Sequence, residues 1–151
     1  MQKIFRNRDG KTITNIVSYT LDIMRVCPNA KIHIGTDSQN HKKYTTYVVV
    51  IAFRMGTNGV HCIYHKVRER KIKDRWTRLW KEVEMTMEVA KWLSEKISIQ
   101  IEVDFDFNGD AKHYSHKLIS SAQGWAESLG FKSNVKPHNQ IATWAADMAC
   151  K

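Results

Sequence analysis

The stretch "IHIGTDSQNHKKYTTYVVVIAF", residues 32–53, decides the fold. Two β-branched, apolar runs flank the short polar link "SQNHK", so the pattern predicts two antiparallel neighbouring strands, about 31–37 and 43–54. An acid, Asp37, stands where the first run ends. Taken alone, Asp37 followed by Ser and Gln reads as an Asx turn. Whether it does more depends on what the rest of the chain brings to that strand end.

On the C-terminal side, "MGTNG" at 55–59 is a hairpin signal leading to a third strand over about 59–68. Residues 75–96, "RWTRLWKEVEMTMEVAKWLSEK", predict a long helix with Leu79, Val83, Thr86, Ala90 and Leu93 on one face. "ISIQIEVDFDFN" then alternates strictly. Ile99, Ile101, Val103, Phe105 and Phe107 face one way; Gln100, Glu102, Asp104, Asp106 and Asn108 face the other. A helix over 112–129 is expected to end at Gly130. A short strand, "FKSNVKP", and a final helix, "NQIATWAADMACK", complete the chain, with Asn139 as a candidate cap. On the N-terminal side, residues 13–26 carry apolar side chains at helical spacing, with Thr12 or Thr14 as candidate caps and "CPN" as the stop. The order helix, βββ, α, β, α, β, α predicts an α/β fold with a five-stranded mixed sheet, helices on its faces, and the first, fourth and fifth strands parallel.

The chain has 151 residues, 42% hydrophobic and 26% charged, which suits one globular domain over 1–151. No apolar run reaches the ~20 residues of a membrane span, and the N-terminus lacks the apolar segment of a signal peptide. Three scattered cysteines, Cys27, Cys62 and Cys150, have no metal-binding spacing and fit a reducing compartment. A cytoplasmic protein is expected.

The net charge is +9, and residues 66–81, "KVRERKIKDRWTRLWK", hold eight Lys or Arg against Glu69 and Asp74, a local charge of +6. Arg68, Arg70, Lys71, Lys73, Arg75 and Arg78 are candidate phosphate contacts, and Trp76 is a candidate stacking residue. A solvated loop and helix start, with the tryptophans packed on the core, explains the same run about equally well.

Four carboxylates stand in unusual places: Asp37, Glu82 at the border of the long helix's buried face, Asp106 near the end of the alternating strand, and Asp147 in an otherwise apolar helix. Each has a plain explanation. Glu82 is four residues after Arg78, Asp104 and Asp106 suit the solvated face of an edge strand, and Asp147 suits a helix surface. Together they point elsewhere. If the first and fourth strands pair in parallel, Asp37 and Asp106 sit one strand spacing apart, ~4.8 Å. A divalent cation with oxygen ligands relieves that repulsion.

The order of elements, with an acid on the first strand, the first crossover helix, the fourth strand and the last helix, resembles the ribonuclease H-like superfamily. More narrowly, "IGTDSQNHKK", "DFNGDAKHYSHKL", "GWAESLGFKSNVKP" and "IATWAADMACK" resemble the YkuK family of ribonuclease H-like proteins, over about residue 31 to the C-terminus. Residues 1–30 then read as an added helical extension. The resemblance implies a ribonuclease H-like fold and a nuclease holding two Mg²⁺ or Mn²⁺ ions. Asp37, Glu82, Asp106 and Asp147 would be the ligands, with Asp104 the alternative to Asp106. It implies a turnover role for His138 and a phosphate contact for Lys136. RNA, an RNA–DNA hybrid or structured DNA would be the substrate. A non-catalytic module that binds nucleic acid or protein is the alternative. A third reading is an assembly protein whose N-terminal helix makes a dimer contact.

Overall fold

The computed structural model describes residues 1–56, 59–107, 114–135, 142, 145 and 146, with the backbone alone for 114–116. Three long strands follow one another as hydrophobicity dictates: β3 (Lys31–Asn40), β4 (Tyr44–Arg54) and β5 (Val60–Arg70). β3 pairs antiparallel with β4 from Lys31↔Arg54 to Asn40↔Thr45. The turn between them is tighter than "SQNHK", because Ser38, Gln39 and Asn40 all join the ladder and His41 N–H bonds the Tyr44 carbonyl at 2.8 Å. β4 pairs antiparallel with β5, and beyond the last pair Met55 N–H bonds the Gly59 carbonyl at 3.0 Å.

The crossover helix α2 (Arg75–Lys96) has the predicted bounds. Asp74 caps it, accepting from Thr77 N–H at 3.0 Å. Val83, Met85, Met87, Val89, Ala90 and Leu93 are buried in the main core with Ile32, Ile34 and Phe53 of the sheet. Each such large apolar side chain contributes ~1.5–3 kcal/mol by leaving water, and Leu93→Ala would forfeit ~2–5 kcal/mol. The chain then returns as β6 (Ile101–Phe105), parallel to β3, through α3 (Tyr114–Ser128) to β7 (Lys132–Val135), parallel to β6. Gly130 takes φ +82° just beyond α3, a left-handed conformation that glycine reaches without strain. Ala142, Ala145 and Ala146 are helical, and Ala142 and Ala146 pack on Val48, Val50 and Ala52 on the sheet face opposite α2.

Two expectations are corrected. The sheet has seven strands in the order β2-β1-β5-β4-β3-β6-β7, because β1 (Phe5–Arg6) and β2 (Thr12–Ile13) form a hairpin on the edge beside β5. That hairpin takes Thr12 and Ile13 out of the first helix, so α1 (Ile16–Val26) starts later and is capped by Asn15, whose side chain accepts from Ser18 N–H at 2.9 Å. Second, the plain reading of Asp104 and Asp106 as the solvated face of an edge strand gives way to the parallel pairing of the first and fourth strands that the acids together pointed to. β6 lies between β3 and β7, and all five of its residues are buried, including Glu102 and Asp104. Among the described residues no helix is long and apolar enough to cross a membrane.

Candidate functional site

The register of β3 and β6 aligns Gly35 with Asp104. That is the last aligned pair: Asp37 lies two residues on, inside β3 and opposite Val48 of β4, and Asp106 lies just past the C-terminal end of β6, the kind of place where α/β sheets present their ligand sites. α2 lies over this end and lowers Glu82 onto it. Its rotation about its own axis is fixed by Thr86, whose Oγ1 lies 2.8 Å from Thr36 Oγ1 on β3 and 2.9 Å from the Glu82 carbonyl.

Glu82 is buried, at 6% exposure, rather than bordering the core as the helical pattern suggested. Burial pushes its carboxyl well above the usual range. The charge of Asp37 adds to that, the Ser38 hydroxyl and Arg78 pull it back, and Asp106 pushes it up again. Ser38 Oγ donates to Glu82 Oε1. Tyr47, opposite Ser38 in the ladder, shares this surroundings: burial raises its phenol, and the nearby Glu82 raises it further. Glu82 and Asp106 also line one small cavity of about 10 Å³ with Thr36, Thr86 and Phe107. That is room for about one water-sized occupant.

Glu82 therefore feels the charges of both Asp37 and Asp106. Among the described residues, no three His, Cys, Asp or Glu side chains are gathered closely enough to grip an ion together. The chemistry of the set nonetheless fits a hard cation: two carboxylates and a hydroxyl, all oxygen donors, near a glutamate whose charge is costly as it stands. Asp147, His138 and Lys136 lie outside the described residues.

Asp104 also borders that cavity, but its hydrogen bonds are made elsewhere. It is fully buried, and its carboxylate accepts from Asn134 Nδ2 at 2.9 Å and from Ala142 N–H at 3.1 Å, with His33 Nδ1 at 3.2 Å. Glu102 joins the same group. Its Oε1 accepts from Asn134 Nδ2 at 3.1 Å, and its Oε2 lies 3.7 Å from His33 Nε2. Burial alone would raise the Glu102 carboxyl, but the Asn134 hydrogen bond, His33 and Lys132 outweigh it and hold it below the usual range. Asp104 is thus engaged by three protein groups.

The basic run curls round the same end of the sheet. Arg68 and Arg70 finish β5 and are exposed, Arg68 with its guanidinium 4.8 Å from the Tyr44 ring centroid. Lys71 and Lys73 bridge to α2, whose first turn carries Arg75 and Trp76, with Arg75 5.8 Å from the Trp76 ring centroid. Arg78 is turned inward beside Glu82, and its Nε is buried without a hydrogen bond among the described residues. It belongs with the carboxylates rather than with the exposed cations.

Sequence reasoning missed Ser38, Tyr47 and the Thr36–Thr86 contact. The signal for Ser38 was present, since Ser follows Asp37 on a strand and must face the opposite side, where α2 lies. The sharing of Asp104 by His33 and Asn134 had none, because it joins residues far apart in sequence through parallel register.

No curated protein matches the chain. The family model described as ribonuclease H-like matches residues 12–151, beginning within the segment that the sequence resemblance set aside as an extension. With that match spanning nearly its whole length, the chain belongs to the ribonuclease H-like family.

Proposed function

We propose that this protein is a divalent-metal-dependent nuclease that hydrolyses phosphodiester bonds of RNA, an RNA–DNA hybrid or structured DNA. The observation that supports this reading is the buried Glu82, which lines one small cavity with Asp106 and whose carboxyl is raised by burial and by the charges of Asp37 and Asp106. Asp37, Glu82 and Asp106, with Asp147, are the residues that would hold two Mg²⁺ or Mn²⁺ ions. Such ions, when bound, stabilise charge on the attacking and leaving oxygens of a phosphodiester. The chain's own residues prepare the site. Ser38 orients Glu82, Arg78 offsets part of the acidic charge, and the Thr36–Thr86 contact keeps the helix seated. Arg68, Arg70, Lys71, Lys73, Arg75 and Lys136 would hold the phosphates, and His138 would assist product release.

The test is cleavage of end-labelled RNA, hybrid and duplex DNA with Mn²⁺ or Mg²⁺. Asp37→Ala and Asp106→Ala are each expected to lower the rate by more than the ~10–100-fold typical of losing an outer-shell partner, with folding retained by circular dichroism. Undiminished cleavage in either variant overturns the assignment. Retarded migration of nucleic acid without cleavage, indifferent to chelator and weakened by salt, would instead mark a binding module.

A further inference from the structure

A groove runs between α2 and α3. Its described walls are Trp76, Trp80, Lys117, Leu118 and Ser121, enclosing an open cleft of about 410 Å³. Trp80 is held in place by stacking on Trp125 of α3, with ring centroids 6.0 Å apart and planes 28° apart. Trp76, one turn earlier on the same helix face, is half-buried and marks the outer end of the cleft. A second shallow cleft reuses Trp76 and Trp80 together with Thr77, Lys81 and Glu84. Trp80 also packs against the main core, yet both indoles keep part of their surface in the clefts.

Charge says what such a surface accepts. Arg75 accompanies the Trp76 ring, and Lys117 is exposed on the opposite wall. Lys71 and Lys73 lead in from β5. Glu84 is the one acid among the described lining residues of the two clefts. Indoles amid cations suit an anionic chain with aromatic side groups. Bases in a duplex hide their faces in the stack, so only unpaired bases reach an indole, and such contacts are tolerant of sequence. Trp76 precedes Glu82 by six residues on a continuous helix, so the two lie ~9 Å apart along its axis. A strand leaving the carboxylates would meet Trp76 within a few nucleotides.

We propose that the α2–α3 groove is a stacking site for single-stranded nucleic acid, so that the preferred ligand carries an unpaired segment beside the position to be cut. This rests on the nuclease reading above and names its substrate class. It is tested by anisotropy of fluorescein-labelled duplexes with the whole protein in chelator, where cleavage plays no part. A duplex with an eight-nucleotide overhang is expected to bind at least ~10-fold more tightly than its blunt counterpart, in line with stacking contributions per base. An abasic overhang of equal charge should fall back to the blunt value. Trp76→Ala should bring the overhang-to-blunt ratio close to one. Equal affinity for overhang, abasic and blunt ligands overturns the proposal, as does an undiminished ratio in Trp76→Ala. If blunt and overhanging duplexes bind alike and are still cut with Mn²⁺, only this inference fails. If no nucleic acid binds at all, the nuclease reading fails with it.

Discussion

Two acidic groups meet at β6, and they are opposite in kind. On one side Glu102 and Asp104 are buried but satisfied by Asn134, Ala142 N–H and His33. On the other, Glu82 is buried against Asp37 and Asp106, and the Ser38 hydroxyl and Arg78 only partly offset the cost. The pull on the two glutamates runs in contrary directions, downward for Glu102 and upward for Glu82. Both sites bury carboxylates, so burial alone does not mark function. What separates them is the balance at each glutamate: hydrogen bonds and cations outweigh burial at Glu102, whereas burial and neighbouring acids outweigh them at Glu82. The first group is an anchor: Asp104 ties the backbone of Ala142 to the sheet. The second keeps a glutamate whose charge is costly.

The largest effect on stability should come from the anchor. Asp104→Ala leaves Ala142 N–H and His33 Nδ1 without their acceptor inside the protein, at ~1–3 kcal/mol for each buried group left unpaired. Thermal unfolding should fall by roughly 5–20 °C for a chain of this size. A midpoint within 2 °C of the parent would show that the two acidic groups are alike after all. The opposite sign is expected at Glu82. Its folded-state pKa is raised, so the native state holds its proton more tightly than the unfolded chain, and stability falls as pH rises from the unfolded value, ~4.3, through the folded one. Glu82→Gln removes that cost. Without divalent ions it should raise the midpoint by a few degrees at pH 8, with the gain fading by pH 4. Added Mn²⁺ should raise the midpoint of the parent and leave Glu82→Gln nearly unmoved. A pH-independent difference, or destabilisation at pH 8, would show that the charge of Glu82 is not costly.

Much of this contrast lay open in the sequence, and some of it did not. The long strands and α2 were legible because β-branched runs and a sustained helical period persist over many residues. The β1–β2 hairpin was not, since two-residue strands carry no period. Asp37, Glu82 and Asp106 could be picked out as acids at the ends and borders of apolar elements. Asp104 could not be told from Asp106, because strict alternation sets both on one strand face. Only the parallel register, which places His33 beside Glu102, separates the anchored acid from the other. The depth of Glu82 was likewise hidden: three residues from Leu79, it seemed to border the core, yet the helix turns it inward while Leu79 is only half-buried.

The smallest expected effect tests which partners satisfy Glu102. Lys132 Nζ lies 3.6 Å from Glu102 Oε1, but the lysine side chain is 62% exposed while that of Glu102 is 7% exposed. An ion pair with one partner in water gains little, because solvent and salt screen it and the lysine loses rotamer freedom, so ~0–1 kcal/mol is its expected worth. The Asn134 amide, itself buried, lies between Glu102 and Asp104 and serves both. Lys132→Gln should therefore shift the thermal midpoint by less than about 4 °C, and that shift should shrink further in high salt. A larger, salt-insensitive loss would mean that the anchor depends on a charge at the surface. The division between the lowered Glu102 and the raised Glu82 would then be one of degree.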